Sequence, residues 1–132
     1  MSMGNALVLV IDDQPGIRRL LAEVLQEDGY DVAVAANGQE ALQKVKEITP
    51  ALILMDMKMP GMDGLETFRE LRKIGKAERV IMMTAYGELE LVKEAINLGA
   101  YKYITKPFDI NVIKATVKEV LQFKKQEVQI VS

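Results

Sequence analysis

Ala51-Leu-Ile-Leu-Met-Asp56 runs without a break into Met57-Lys-Met-Pro-Gly-Met-Asp-Gly64. Five apolar residues in a row, one carboxylate and a loop rich in Pro and Gly predict a strand buried on both faces that carries Asp56 to its carboxyl end. With an apolar strand behind it and an open loop ahead, Asp56 suits a ligand or nucleophile better than a packing role. Asp63 is the better helix cap in this stretch, with Glu66 three positions on.

The same pattern recurs on either side. Leu7–Ile11 is an all-apolar run ending in Asp12-Asp13, and Val80–Met83 is another that finishes on Thr84. Val32–Ala35 makes a weaker strand. Ala100–Ile104 is less apolar, which places it at a sheet edge, and Thr105-Lys106-Pro107 follows it. Between these runs lie five helical patterns. Gln14-Pro15-Gly16 opens the first, with Ile17, Leu20, Leu21, Val24 and Leu25 at helical spacing and Gly29 as its stop. Asn37-Gly-Gln-Glu40 reads as a capping box for a second helix that buries Ala41, Leu42, Val45 and Ile48 and is ended by Pro50. Leu65, Phe68, Leu71 and Ile74 line the third, closed by Gly75. Gly87-Glu88 begins the fourth, which carries Leu91, Val92, Ala95, Ile96 and Leu98 up to Gly99. Asp109 caps the last, with Ile113, Val117, Val120 and Leu121 inward and a polar tail from about Gln122. Strands alternating with helices predict an α/β fold, a doubly wound five-stranded parallel sheet with helices on both faces.

The 132 residues are expected to form one domain, with a core from about residue 6 to 122. Hydrophobic residues are 49% of the chain and aromatic ones only 5%, so the core is expected to be aliphatic and methionine-filled, without large rings at its centre. A net charge of −2 disfavours nucleic acid as a direct partner. There is no Cys and no His, which excludes disulfides, thiol or imidazole nucleophiles, and a phosphohistidine of the chain's own. Any metal must sit among oxygen ligands, as magnesium, manganese or calcium do. No apolar run is long enough to span a bilayer, and the expected location is cytoplasmic.

In such a fold ligands bind beyond the carboxyl ends of the strands, where strand order reverses. Asp12, Asp13, Asp56, Thr84 and Lys106 stand at those ends and are expected to share one crevice. Clustered carboxylates either hold a proton or bind a cation. Magnesium fits, with Asp13 and Asp56 as direct ligands, the Lys58 carbonyl beside them and Asp12 acting through water. Lys106 offers a point charge and Thr84 a hydroxyl donor to a phosphoryl group, so Asp56 can serve as a nucleophile forming an acyl phosphate. Each residue alone has an ordinary reading: Asp13 fits a helix cap, Thr84 a strand end, Lys106 a solvated surface. It is their joint placement that points to one chemistry.

Asp12-Asp13, the Asp56–Gly64 loop, Thr84-Ala85 and Lys106-Pro107, taken as an ordered set, resemble the CheY-like receiver domains of bacterial two-component response regulators over nearly the whole chain. The resemblance implies the strand order 2-1-3-4-5. It implies Asp56 as phosphoacceptor, magnesium held by Asp12, Asp13 and Asp56, Thr84 and Tyr103 as switch residues, Lys106 on the phosphoryl group, and a cis Lys106–Pro107 bond. Asp13–Arg18, Thr84–Leu89 and Lys106–Ile110 look most like the stand-alone regulators of sporulation phosphorelays, whose histidine is replaced here by Tyr103. The implied partners are a sensor histidine kinase and a histidine phosphotransferase, met by a monomer through Gln14, Pro15, Gly16, Ile17, Tyr86, Gly87, Glu88, Leu89, Pro107 and Phe108. Lys58 and Tyr86 are expected to hinder an attacking water and prolong the acyl phosphate. Rival readings are an aspartyl phosphatase, which commonly carries a second aspartate where Lys58 stands, a flavodoxin-type cofactor domain, and a docking module that is never phosphorylated.

Overall fold

All five apolar runs become strands of one parallel sheet: β1 (Leu7–Ile11), β2 (Asp31–Ala35), β3 (Leu52–Asp56), β4 (Val80–Thr84) and β5 (Lys102–Thr105). The helices are α1 (Pro15–Glu27), α2 (Gly38–Lys44), α3 (Gly64–Lys73), α4 (Leu89–Asn97) and α5 (Ile110–Val131). This computed structural model describes residues 5–85 and 87–122 in full and the backbone on to 131; the chain from Gln122, expected to fray into a polar tail, instead continues α5 as helix. Sheet order is β2-β1-β3-β4-β5, as the resemblance implied. Among the described residues no helix is long and apolar enough to cross a membrane.

Alternation along the strands splits the core in two. Leu9, Ile11, Ile53, Met55, Val80 and Met82 face one layer with Phe68, Leu71, Val92 and Ala95 from α3 and α4. Val8, Val10, Leu52, Leu54, Ile81 and Met83 face the other with Leu21 and Leu25 of α1 and Ile113 and Val117 of α5. Methionines fill both layers as expected, but the centre is not free of rings, since Phe68 is fully buried. Its position at i+3 from Leu65 and i−3 from Leu71 puts it in the middle of the apolar stripe of α3.

Three helices close as their glycines predicted. Gly99 takes φ +115°, its amide bonds Ile96 O, and the Ala100 amide bonds Ala95 O; the same bond pair follows Gly29 and Gly75. This draws Ala100 into the close of α4, so β5 starts at Lys102 and not at Ala100. Pro50 does not end α2. That helix stops at Lys44, six positions earlier, where Lys46 and Glu47 bond three residues back and tighten the turn around buried Val45. Ile74 and Ile96, expected inward, are 52% and 37% exposed. Ile74 lies past the last turn of α3, where Gly75 swings the chain outward, and Ile96 sits at the margin of the α4 stripe.

The first turn of α3 lies against the backbone that follows Asp56. Gly64 N–H donates to Met57 O at 2.8 Å, and a Cβ on Gly64 would stand 2.5 Å from Asp56 O and 2.8 Å from Met57 Cα. Gly16, in α1, has open space around it and a negative φ. Gly64→Ala is therefore expected to cost about 2–3 kcal/mol in urea denaturation, because backbone must move. Gly16→Ala is expected to stabilise by up to about 1 kcal/mol.

Candidate functional site at the carboxyl ends of the strands

The parallel ladder runs one step past each strand and carries the site with it. Asp12 N–H donates to Ala35 O at 3.1 Å, Met57 N–H to Met83 O at 2.8 Å, and Lys106 N–H to Thr84 O at 2.7 Å. Asp56 pairs in register with Met83, and Thr84 with Thr105. Asp12, Asp56, Thr84 and Lys106 thus come from the exit of β1, from β3, from β4 and from the exit of β5 to one rim. Asp13, Gln14, Asp56, Lys58, Met59, Pro60, Ala85, Glu88 and Lys106 line the cleft there, about 510 Å³ in volume.

Asp12 is fully buried. Its Oδ2 accepts from Lys106 Nζ at 2.7 Å and its Oδ1 from Gln14 N–H at 2.9 Å, while its main-chain oxygen accepts from Arg18 Nη1 at 2.7 Å. Lys106 Nζ also stands 3.4 Å from Asp56 Oδ1. Lys58 N–H reaches the same Asp56 oxygen at 3.5 Å, the outer limit of a hydrogen bond. Burial alone would lower the lysine, but its bond to Asp12 and the charges of Asp12 and Asp56 outweigh that and hold it above its ordinary range. Asp56 moves the other way from a normal carboxylate. Burial first, then the charge of Asp12, pushes it up to about 6, with Lys106 and the Lys58 amide offsetting only part.

Asp12, Asp13 and Asp56 each bring one carboxylate oxygen within 4.8 Å of the others. Lys106 pairs with Asp12 and Asp56, while burial and the Asp12 charge keep Asp56 raised. The donors are all hard oxygens, the set that suits magnesium or manganese.

Thr84 is buried and its hydroxyl donates to Glu88 Oε1 at 2.9 Å. Tyr103, on edge strand β5, is 48% exposed. Lys106–Pro107 is cis, as implied. Of the expected partner surface, Gln14, Pro15, Gly16, Gly87, Leu89 and Pro107 are exposed, and Ile17 and Phe108 are half-buried against the α1–α5 layer. Glu88, expected on the same surface, is 7% exposed and its carboxylate turns inward, where Thr84 and the Ala85 amide both donate to it. Tyr86 lies outside the described residues. Sequence reasoning missed Glu88 as a member of the cleft. The available signal was a carboxylate four residues after a strand-end hydroxyl, across a glycine turn.

The raised Asp56 carries a pH dependence with a definite sign. The folded form holds that proton more tightly than the unfolded chain, so the associated stability is full below about pH 4 and is lost as pH rises through about 6. A shift of about two units corresponds to about 3 kcal/mol, which water at the open cleft reduces to about 1–2 kcal/mol. In chelator, Asp56→Asn is expected to be more stable than wild type by that amount near about pH 7.5 and to show no advantage near about pH 4, read by urea denaturation.

Residues 8–118 match the family model described as the response regulator receiver domain. The chain is 48% identical over 122 residues to sporulation initiation phosphotransferase F of Bacillus subtilis (strain 168), covering 92% of this chain and 98% of that one. It is 37% identical over 123 residues to regulatory protein AtoC of Escherichia coli (strain K12), covering 93% of this chain but 27% of that relative, so it spans about a quarter of AtoC. Among solved structures, a CheY-like response regulator receiver domain protein from Methanospirillum hungatei JF-1 is similar with a TM-score of 0.88 at 31% identity, covering 94% and 99% of the two chains. With its sheet order, its acidic cleft and these matches, the chain belongs to the response regulator receiver domain family, the receiver of two-component and phosphorelay signalling.

Proposed function

We propose that the chain accepts a phosphoryl group on Asp56 from a phosphohistidine of a kinase or phosphotransferase partner. The observation that carries this is the meeting of Asp12, Asp13, Asp56 and Lys106 within one cleft, from strands far apart in sequence. An Asp56 carboxylate oxygen attacks phosphorus, the P–N bond breaks, and the electron pair leaves with the partner's imidazole nitrogen. Lys106, 3.4 Å from Asp56, is placed to follow the transferred oxygens while Asp12 keeps it oriented. Magnesium held by Asp12, Asp13 and Asp56, with the Lys58 carbonyl as a further ligand and manganese as a substitute, would neutralise phosphoryl charge when bound.

The added phosphoryl carries about two negative charges, which draw the Thr84 hydroxyl toward Asp56 and leave room for Tyr103 to turn in from solvent. The exposed rim from Gln14 to Ile17, with Gly87, Leu89, Pro107 and Phe108, is read as the docking surface for the histidine-bearing partner. Tyr86 is assigned to it from sequence. The chain is read as a monomer that does not itself contact nucleic acid, in keeping with its net charge of −2. By likeness to sporulation initiation phosphotransferase F, the group passes onward in a phosphorelay.

Incubation with magnesium and acetyl phosphate, followed by intact mass measurement, tests the reading. Wild type is expected to gain one phosphoryl mass and Asp56→Asn none. Lys106→Ala is expected to slow the reaction about 10²-fold. Label on Asp56→Asn, or none on wild type, refutes it. In Thr84→Ala, phosphorylation is expected to proceed while the phospho-dependent amide shifts near Tyr103 disappear.

A further inference from the structure

Thr84 does not stand with a free hydroxyl. Its Oγ1 donates to Glu88 Oε1 at 2.9 Å, and the Ala85 amide donates to the same oxygen at 2.9 Å; the Ala85 carbonyl, at 3.2 Å, is the longer alternative acceptor. Glu88 is the N-cap residue of α4, yet its side chain makes no cap bond to that helix. With Gly87 at φ +95°, the chain folds back and the Glu88 carboxylate meets the end of β4 instead. It is 7% exposed and lines the same cleft as Asp56, Lys58 and Lys106. A carboxylate at that depth is kept only while its oxygens are satisfied.

We infer that Glu88 is a latch: it holds the Thr84 hydroxyl in the resting position and competes for it with the phosphoryl group on Asp56. The inference rests on the reading of Asp56 as phosphoacceptor. A hydroxyl has one hydrogen to donate, so the two acceptors cannot both be served. When Thr84 turns to the phosphoryl oxygens, Glu88 keeps one donor and gains a charged neighbour across the cleft. Leaving a buried carboxylate in that state is unfavourable, and the relief is outward movement. Its main-chain oxygen accepts from Val92 N–H at 3.1 Å, so the first turn of α4 moves with it and shifts exposed Leu89. Glu88 is thus a positioning residue that sets how far the resting protein lies from its switched form.

Amide NMR spectra of the whole chain, with magnesium and beryllofluoride as the phosphoryl mimic, test the latch. In resting Glu88→Ala, peaks of Thr84 and of α4 are expected to lie displaced toward the positions of mimic-saturated wild type. The mimic is expected to bind this variant about 5- to 30-fold more tightly. Glu88→Gln keeps an acceptor of the same shape without the charge; its affinity should fall between the two and provides the comparison if the alanine variant folds poorly. In a Thr84→Ala background, Glu88→Ala should no longer tighten binding. Resting spectra at wild-type positions with affinity within about twofold overturn the latch, as does a gain that persists without the Thr84 hydroxyl. A wild type that does not respond to the mimic at all overturns instead the reading of Asp56 on which the latch stands.

Discussion

Asp12 has no exposed surface, and what makes its burial tolerable is Lys106 Nζ at 2.7 Å, contributed from 94 residues away in sequence. A carboxylate buried without such a partner is destabilising by about 3–5 kcal/mol. The pair therefore ties the exit of β5 to the exit of β1 across the intervening strands. Lys106 answers two carboxylates at once, more closely to Asp12 than to Asp56. Burial and the Asp12 charge therefore raise the proton affinity of Asp56, and Lys106 offsets only part of that rise.

The sheet makes this arrangement stiff. Parallel pairing continues beyond each strand through Asp12, Met57 and Lys106, so the backbone of the site is an extension of the ladder and not a free loop. On the far side of Asp56, Gly64 brings the first turn of α3 onto Asp56 and Met57 more closely than any side chain permits. Asp63 caps that helix by accepting from Glu66 N–H at 2.8 Å, and Thr67 Oγ1 donates to the Asp63 carbonyl at 2.8 Å. Functional carboxylates are thereby held at short range against their mutual repulsion, with the two apolar layers supplying the stability that the site itself subtracts.

The end of β4 is bound through side chains as well as through the ladder. Thr84 closes a fully buried strand, but its hydroxyl answers to Glu88 across one turn, and Tyr103 is half exposed on the edge strand. A side chain on an edge strand can turn without displacing a second layer, whereas β3 and β1 are covered on both faces. Paired charges thus stand on one side of the cleft and a hydroxyl held by a single turn on the other.

The alternation of buried runs and amphipathic helices, the glycine stops, the caps at Asn37 and Asp63, and the polar residue at each strand end are legible in the order of residues alone. Those are local properties, set by side-chain periodicity and backbone freedom within a few residues. Strand order and the cis bond came from resemblance, since neither leaves a periodic trace. That Asp12 is committed to Lys106, that Asp56 is pushed up to about 6, and that Glu88 faces inward follow from the folded arrangement. Ile74, Ile96 and Pro50 show the same boundary from the other side: apolarity and a helix breaker were visible, but exposure and the actual end of α2 depended on what packs nearby. Burial and charge compensation are relations between distant parts of the chain, and they exist only once the sheet has brought those parts together.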